Sequence, residues 1–170
     1  MEEASPTKHE YVAGQLYALA GATERHNRIA GNVLAQLWMA ARGGPCRVYG
    51  SDMRLRIGDS AVYYPDVQVV CDRADTHQMY TTSPCVVVEV LSPSTSSIDL
   101  REKLYRRIER LRAYVIVFQD ERRVLRHYRA EEDAWFDALH FADDSRVPFP
   151  CPEVDLSLAD IYQGVELLGG

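Results

Sequence analysis

Hydrophobic and polar positions organise this chain into short alternating runs separated by turn signals. Residues 10–19, Glu10-Tyr11-Val12-Ala13-Gly14-Gln15-Leu16-Tyr17-Ala18-Leu19, alternate about a glycine that can take a left-handed turn, which predicts a short hairpin. Thr23 then offers an N-cap with Glu24 in the first turn. Ile29, Val33, Leu34, Leu37 and Trp38 follow on one helical stripe until Gly43-Gly44-Pro45 ends it. Residues 46–57 alternate, with Met53, Leu55 and Ile57 on one face and Asp52, Arg54 and Arg56 on the other. Gly58-Asp59-Ser60 turns the chain into a second strand over residues 63–70.

Residues 72–82 are polar and irregular and predict a loop. The most apolar run follows, Cys85-Val86-Val87-Val88-Glu89-Val90-Leu91, bounded by Ser-Pro on both sides, and reads as a central strand buried on both faces. A turn-rich segment at 92–97 leads to Asp99, which could cap a basic helix running to about Arg112. Tyr114-Val115-Ile116-Val117-Phe118 is another buried strand, followed by a hairpin holding residues 124–128 and Trp135-Phe136. Strand, helix and strand in succession imply a right-handed parallel crossover. The prolines at 148, 150 and 152 predict a linker before a closing helical turn or two. The expected architecture is a single α/β domain over residues 1–170, without repeats.

Composition narrows the function classes. No apolar stretch approaches the ~18 residues that span a bilayer, and residues 1–5 lack the pattern of a signal peptide, so the expectation is a cytoplasmic protein with no membrane partner. Cys46, Cys71, Cys85 and Cys151 are scattered without a close pair, which favours buried reduced thiols over disulfides or zinc ligands. The five histidines show no ligand spacing. A net charge of −6 argues against broad coating of nucleic acid, so any contact with DNA or RNA must be local.

Glu89 is the residue that asks for chemistry, because a carboxylate inside a central strand is costly unless something offsets its desolvation. An arginine could do so, or a cation. Asp66, in Tyr64-Pro65-Asp66-Val67, is a second strand acid. It shares a face with Gln68, as Glu89 does with Val87, and if the two strands are neighbours the carboxylates can converge. Two carboxylates plus a backbone carbonyl, that of Val90 after Glu89, are a sufficient protein share for Mg2+ or Mn2+.

The chain resembles the restriction-endonuclease-like proteins of the Uma-two family, within the PD-(D/E)xK nuclease superfamily. The residues that carry the resemblance are His9-Glu10-Tyr11-Val12-Ala13-Gly14, His26-Asn27-Arg28-Ile29, Gly50-Ser51-Asp52-Met53, Tyr64-Pro65-Asp66-Val67, Val88-Glu89-Val90-Leu91-Ser92-Pro93-Ser94-Thr95, and Asp99 with Lys103. The resemblance implies a restriction-endonuclease-like fold, a mixed central sheet flanked by helices, with Asp66 and Glu89 as metal ligands. It also implies that Glu10 lies near the site and that Lys103 is the catalytic lysine of a Mg2+- or Mn2+-dependent endonuclease acting on DNA. A homodimer would supply the two sites that double-strand cleavage needs.

Two departures bear on the lysine. The position two residues after Glu89 is Leu91, so a lysine must come from elsewhere. The family pattern then places a tyrosine four residues after the lysine, whereas Tyr105 stands two after Lys103. If Tyr105 keeps its packing position, Arg101 occupies the same-face position one turn earlier. If the shortening is absorbed at Tyr105, Lys103 keeps its place, and the family spacing at Asp99 favours that reading. Gln68 reads as a strand glutamine bonded to a neighbour, with support of Asp66 as the alternative. His26 reads as a capping or packing imidazole, with substrate contact as the alternative. The basic residues from Arg101 to Arg112 are a solvated helix face unless two or three meet phosphate. The alternatives to a nuclease are an inactive nuclease-fold module that binds DNA or protein, and a structural Glu89 ion pair with no metal.

Overall fold

The structure is a computed structural model that describes residues 8–18, 21–91, 98–130 and 133–167, with backbone alone at 98–100. The N-terminal hairpin pairs β1 (His9–Val12) with β2 (Gln15–Ala18). Its two-residue turn takes positive φ at both positions, 47° at Ala13 and 93° at Gly14, the twist that joins antiparallel strands most tightly. Helix α1 (Glu24–Ala41) starts where expected: the Thr23 side chain accepts from the His26 amide at 3.2 Å. Its stripe of Ile29, Val33 and Leu37 is fully buried, each worth roughly 1.5–3 kcal/mol of burial.

The two long strands expected next are four short ones. Residues 46–57 divide at a turn, closed by the Met53 amide on the Gly50 carbonyl at 3.1 Å, into β3 (Arg47–Gly50) and β4 (Arg54–Ile57). Residues 63–70 divide at Pro65, which has no N–H for a ladder, into β5 (Ala61–Tyr63) and β6 (Val67–Val70). The chain thereby passes from one sheet to the other and back. After β7 (Tyr80–Thr81), a two-residue strand within the segment read as a loop, come β8 (Val86–Leu91), α2 (Ile98–Tyr105) and β9 (Ala113–Phe118). The chain then forms β10 (Val124–Arg129) and β11 (Trp135–His140). Strands β8 and β9 pair in parallel around α2, the expected crossover.

Helix α2 stops at Tyr105 rather than near Arg112. Beyond it the backbone tightens into three-residue turns, such as the Ile108 amide on the Tyr105 carbonyl at 2.9 Å, which tuck Ile108 and Leu111 into the core. The turn expected at 92–97 and the capping side chain of Asp99 lie outside the described residues. The proline-rich segment is not a linker but a hairpin, β12 (Arg146–Pro150) with β13 (Glu153–Ser157), leading into α3 (Leu158–Ile161). Proline is tolerated there because the hairpin pairs with no other described strand.

Among the described residues, one sheet runs β2-β1-β5-β4-β7 and the central mixed sheet β11-β10-β9-β8-β6-β3. The alternating side chains of the central sheet feed two cores. Val86, Val88 and Val90 pack with α1, α3 and the β12–β13 hairpin; Val87, Tyr114 and Ile116 pack with the smaller sheet and α2. Glu89 therefore faces the layer between the two sheets. No described helix is long and apolar enough to cross a membrane.

The four cysteines depart from expectation. Strands β3, β6 and β8 are neighbours, and Cys46, Cys71 and Cys85 each stand one residue beyond a strand end at the same sheet margin. The β12–β13 turn adds Cys151, and the sulfurs are joined as Cys46–Cys71 and Cys85–Cys151 disulfides. Separations of 25 and 66 residues concealed an adjacency that only strand order creates.

Candidate active site

The register of the central sheet sets the acids side by side. Val67 pairs with Val88, so Asp66, one residue before β6, stands opposite Glu89. The Asp66 carboxylate leans along the strand margin, and its Oδ2 accepts from the Val90 amide at 2.7 Å and faces His26 Nε2 at 3.2 Å. Glu89 is 4% exposed; its Oε1 accepts from Arg101 Nη1 at 3.0 Å and from the Tyr105 hydroxyl at 2.7 Å. Glu10, also 4% exposed, comes from β1: its Oε2 takes the other terminal nitrogen of Arg101, and its Oε1 accepts from the Tyr64 amide at 3.3 Å. One guanidinium thus serves two buried acids, and its Cζ lies 4.8 Å from the Tyr63 ring centroid.

Arg101, not Lys103, occupies the position beside Glu89, which corrects the favoured reading of the helix. Tyr105 is fully buried between Tyr63 and Tyr114, with ring centroids at 5.3 and 4.9 Å, and this packing fixes the rotation of α2. Arg101 lies one turn before it on the same face. Lys103 is turned about 200° away and is exposed. Of the tyrosines, read from sequence as core or sheet surface, Tyr63, Tyr105 and Tyr114 are core while Tyr17 is exposed; Tyr105 is also a donor to Glu89, signalled only by its spacing of four from Arg101.

Gln68 shares the face of Asp66 but commits its amide elsewhere, donating to the Met53 carbonyl at 2.8 Å and accepting from the Thr81 hydroxyl at 2.5 Å. It ties the two sheets together. His26 reaches Asp66 from the first turn of α1, and its Nδ1 is buried without a partner among the described residues. Val90 offers its amide to Asp66. The other helix-region cations are partly engaged: Arg106 pairs with Glu102, and Arg110 with Asp72 at 3.0 Å.

Electrostatics follow from an excess of acid. Burial pushes the Glu89 carboxyl up to about 7, with Arg101 opposing and the charge of Asp66 adding to the rise. The hydrogen bond to Asp66 raises His26 above its ordinary value; burial opposes, and the charges of Asp66 and Glu89 and the Val90 backbone reinforce it. Three carboxylates face one arginine and one histidine. Glu89 Oε2 and Asp66 Oδ1 take no part in the bonds described. The donors left at the site are carboxylate oxygens, the kind a hard divalent cation takes, while Arg101 already bridges Glu10 and Glu89 as an ion pair. Asp66 opens onto a groove also lined by Asn27, Gly31, Tyr49, Asp52 and Met53.

The family model described as "Uma2: Putative restriction endonuclease" matches residues 1–159. The chain belongs to the Uma2 family. Uncharacterized protein slr1290 of Synechocystis sp. is 31% identical over 96% of this chain and 88% of its own length. Uncharacterized protein sll1609 of the same organism is 31% identical over 87% of each. The crystal structure of "a putative nuclease belonging to DUF820" from Anabaena variabilis superposes with a TM-score of 0.75 at 16% identity, covering 93% of this chain and 91% of that one. The restriction-endonuclease-like fold of this Uma2 member agrees with the expectation from its sequence motifs.

Proposed function

We propose that the chain is an endonuclease that hydrolyses DNA phosphodiester bonds with Mg2+ or Mn2+ held by Asp66 and Glu89, the Val90 carbonyl assisting. The observation that supports this reading is the register that sets Asp66 opposite Glu89, with Arg101 joining Glu89 to Glu10 and His26 holding Asp66. A bound ion would neutralise the surplus charge and supply Lewis-acid polarisation of the phosphodiester. The protein's own groups do the positioning. Tyr105 and Arg101 fix Glu89 through Oε1, and the Val90 amide fixes Asp66 through Oδ2. Arg101 can donate to a phosphate oxygen but cannot accept a proton, so it orients and stabilises rather than acting as a base. His26 holds a proton at Nε2 against Asp66, where it can be exchanged with the leaving oxygen. The groove beside Asp66 is the path proposed for the DNA strand, and a homodimer would bring two such sites to a duplex.

One observation favours a second reading, a nuclease fold retained as a DNA- or protein-binding module. Arg101 stands where a lysine would serve turnover, and it links Glu89 to Glu10. A plasmid-nicking assay with Mg2+ or Mn2+ separates the two. Nicking that disappears in both Asp66→Ala and Glu89→Ala supports the enzyme. Binding of DNA with no metal-dependent nicking by the folded wild type selects the module, and nicking that survives both substitutions removes this site from the reaction.

A further inference from the structure

The cysteine cluster lies outside the acid site and is used by none of the chemistry above. Strands β3, β6 and β8 deliver Cys46, Cys71 and Cys85 to one margin of the central sheet, and the β12–β13 turn brings Cys151 onto them. Sulfurs of the two bridges approach each other closely: Cys71 Sγ and Cys85 Sγ, not bonded to one another, are 3.4 Å apart. Those of Cys71, Cys85 and Cys151 all lie within 4.8 Å of one another, and Cys46 is bonded to Cys71. Four sulfurs from four chain segments therefore occupy one small volume. Thiolates on a tetrahedral zinc, with Zn–S of about 2.3 Å, stand roughly 3.8 Å apart, a spacing these positions bracket.

We propose that Cys46, Cys71, Cys85 and Cys151, when reduced, form a tetrathiolate site for zinc. Reduction of the two bridges takes four electrons and four protons, supplied by two equivalents of a dithiol that are themselves converted to disulfide. Zinc then displaces the four thiol protons. Sulfur donors select a soft ion, whereas the carboxylates of Asp66, Glu89 and Glu10 select a hard one, so the two sites do not compete. The zinc would tie the turn of the β12–β13 hairpin, which pairs with no other described strand, to the ends of β3, β6 and β8.

The full chain, expressed with zinc and purified without oxygen in a phosphine reductant, is tested for metal content and for thiols after unfolding. One zinc and four thiols per chain are expected. Replacement by cobalt should give the intense visible absorption of tetrahedral thiolate coordination. Cys151→Ser should lose stoichiometric zinc; should that variant not fold, the wild-type cobalt spectrum decides. Asp66→Ala should keep both zinc and spectrum. The proposal is overturned if the fully reduced protein binds no zinc, if the cobalt spectrum lacks thiolate bands, if the bridges persist in the reductant, or if zinc leaves with Asp66→Ala.

Discussion

Replacing Glu89 by glutamine keeps the shape of the side chain and removes its charge, and the consequence depends on pH in a way the structure fixes. The Glu89 carboxyl is raised from 4.5 to about 7 because it is buried. A folded-state value above the unfolded one means that the native protein holds a proton the unfolded chain releases. The associated stability is fully present below about pH 4.5 and is lost as pH rises to about 7, beyond which it stays constant. At about 1.36 kcal/mol per unit, the loss is about 3 kcal/mol. Glu89→Gln cannot titrate and lacks this loss. Whatever the substitution costs in hydrogen bonds to Arg101 and Tyr105, the stability of the variant relative to wild type should climb by about 3 kcal/mol across that window. Urea unfolding of both proteins in chelator at pH 4.5 and pH 8 measures the change. In the same experiment Mn2+ should stabilise the wild type at pH 8, less at pH 5, and the variant hardly at all. An offset between the two proteins that is the same at both pH values would refute the assignment of Glu89 as the raised, proton-linked acid.

Asp66→Asn should lower the pKa of His26, since the Asp66 hydrogen bond is the main cause of its rise and burial is then left to pull it down; an NMR titration of the ring reads this directly. In wild type the stability from protonated His26 is present below about pH 6.5 and fades as pH rises through the raised value, and the variant should lack that component. Arg101→Ala leaves Glu10 and Glu89 buried without their shared cation and should cost about 3–5 kcal/mol in chelator at pH 8, partly restored by Mn2+, as thermal or urea unfolding will show. Arg101→Lys should raise metal-dependent nicking above wild type, whereas Lys103→Ala should leave it unchanged.

Much of the fold was legible because local rules and tertiary context agreed. The N-cap at Thr23, the apolar stripe of α1, the buried runs of β8 and β9 and the crossover between them follow from periodicity. The misreadings share a cause. Across residues 46–57 and 63–70 the hydrophobic alternation is continuous, yet the Ser51–Met53 turn and Pro65 pass the chain between sheets; alternation reports which face is buried, not which sheet buries it. Residues 146–157 form a hairpin despite their prolines because an isolated two-stranded pair leaves outward positions where no N–H is needed. The cysteine cluster was invisible for a related reason: proximity across strands β3, β6 and β8 is a property of sheet order, which spacing along the chain does not encode.

At the site, strand order and register set Asp66 opposite Glu89, the neighbourhood that alternation required, but Asp66 turns along the strand margin to His26 of α1 while Glu89 faces the layer between the sheets. The basic partner turned on a competition between two anchors for one short helix. Family spacing from Asp99 favoured Lys103; packing of Tyr105 favoured Arg101. A fully buried tyrosine wedged between two other rings and bonded to a buried acid outweighs a loop spacing, because rotating α2 by the 200° that two residues represent would remove that ring from the core and leave both Glu10 and Glu89 without a cation. The rotation of the helix is therefore set by its largest buried side chain, and the chemistry of the site takes whichever residue stands one turn before it. In this chain that residue can hold a phosphate but cannot take a proton, so the proposed reaction would draw its proton transfer from His26 rather than from α2.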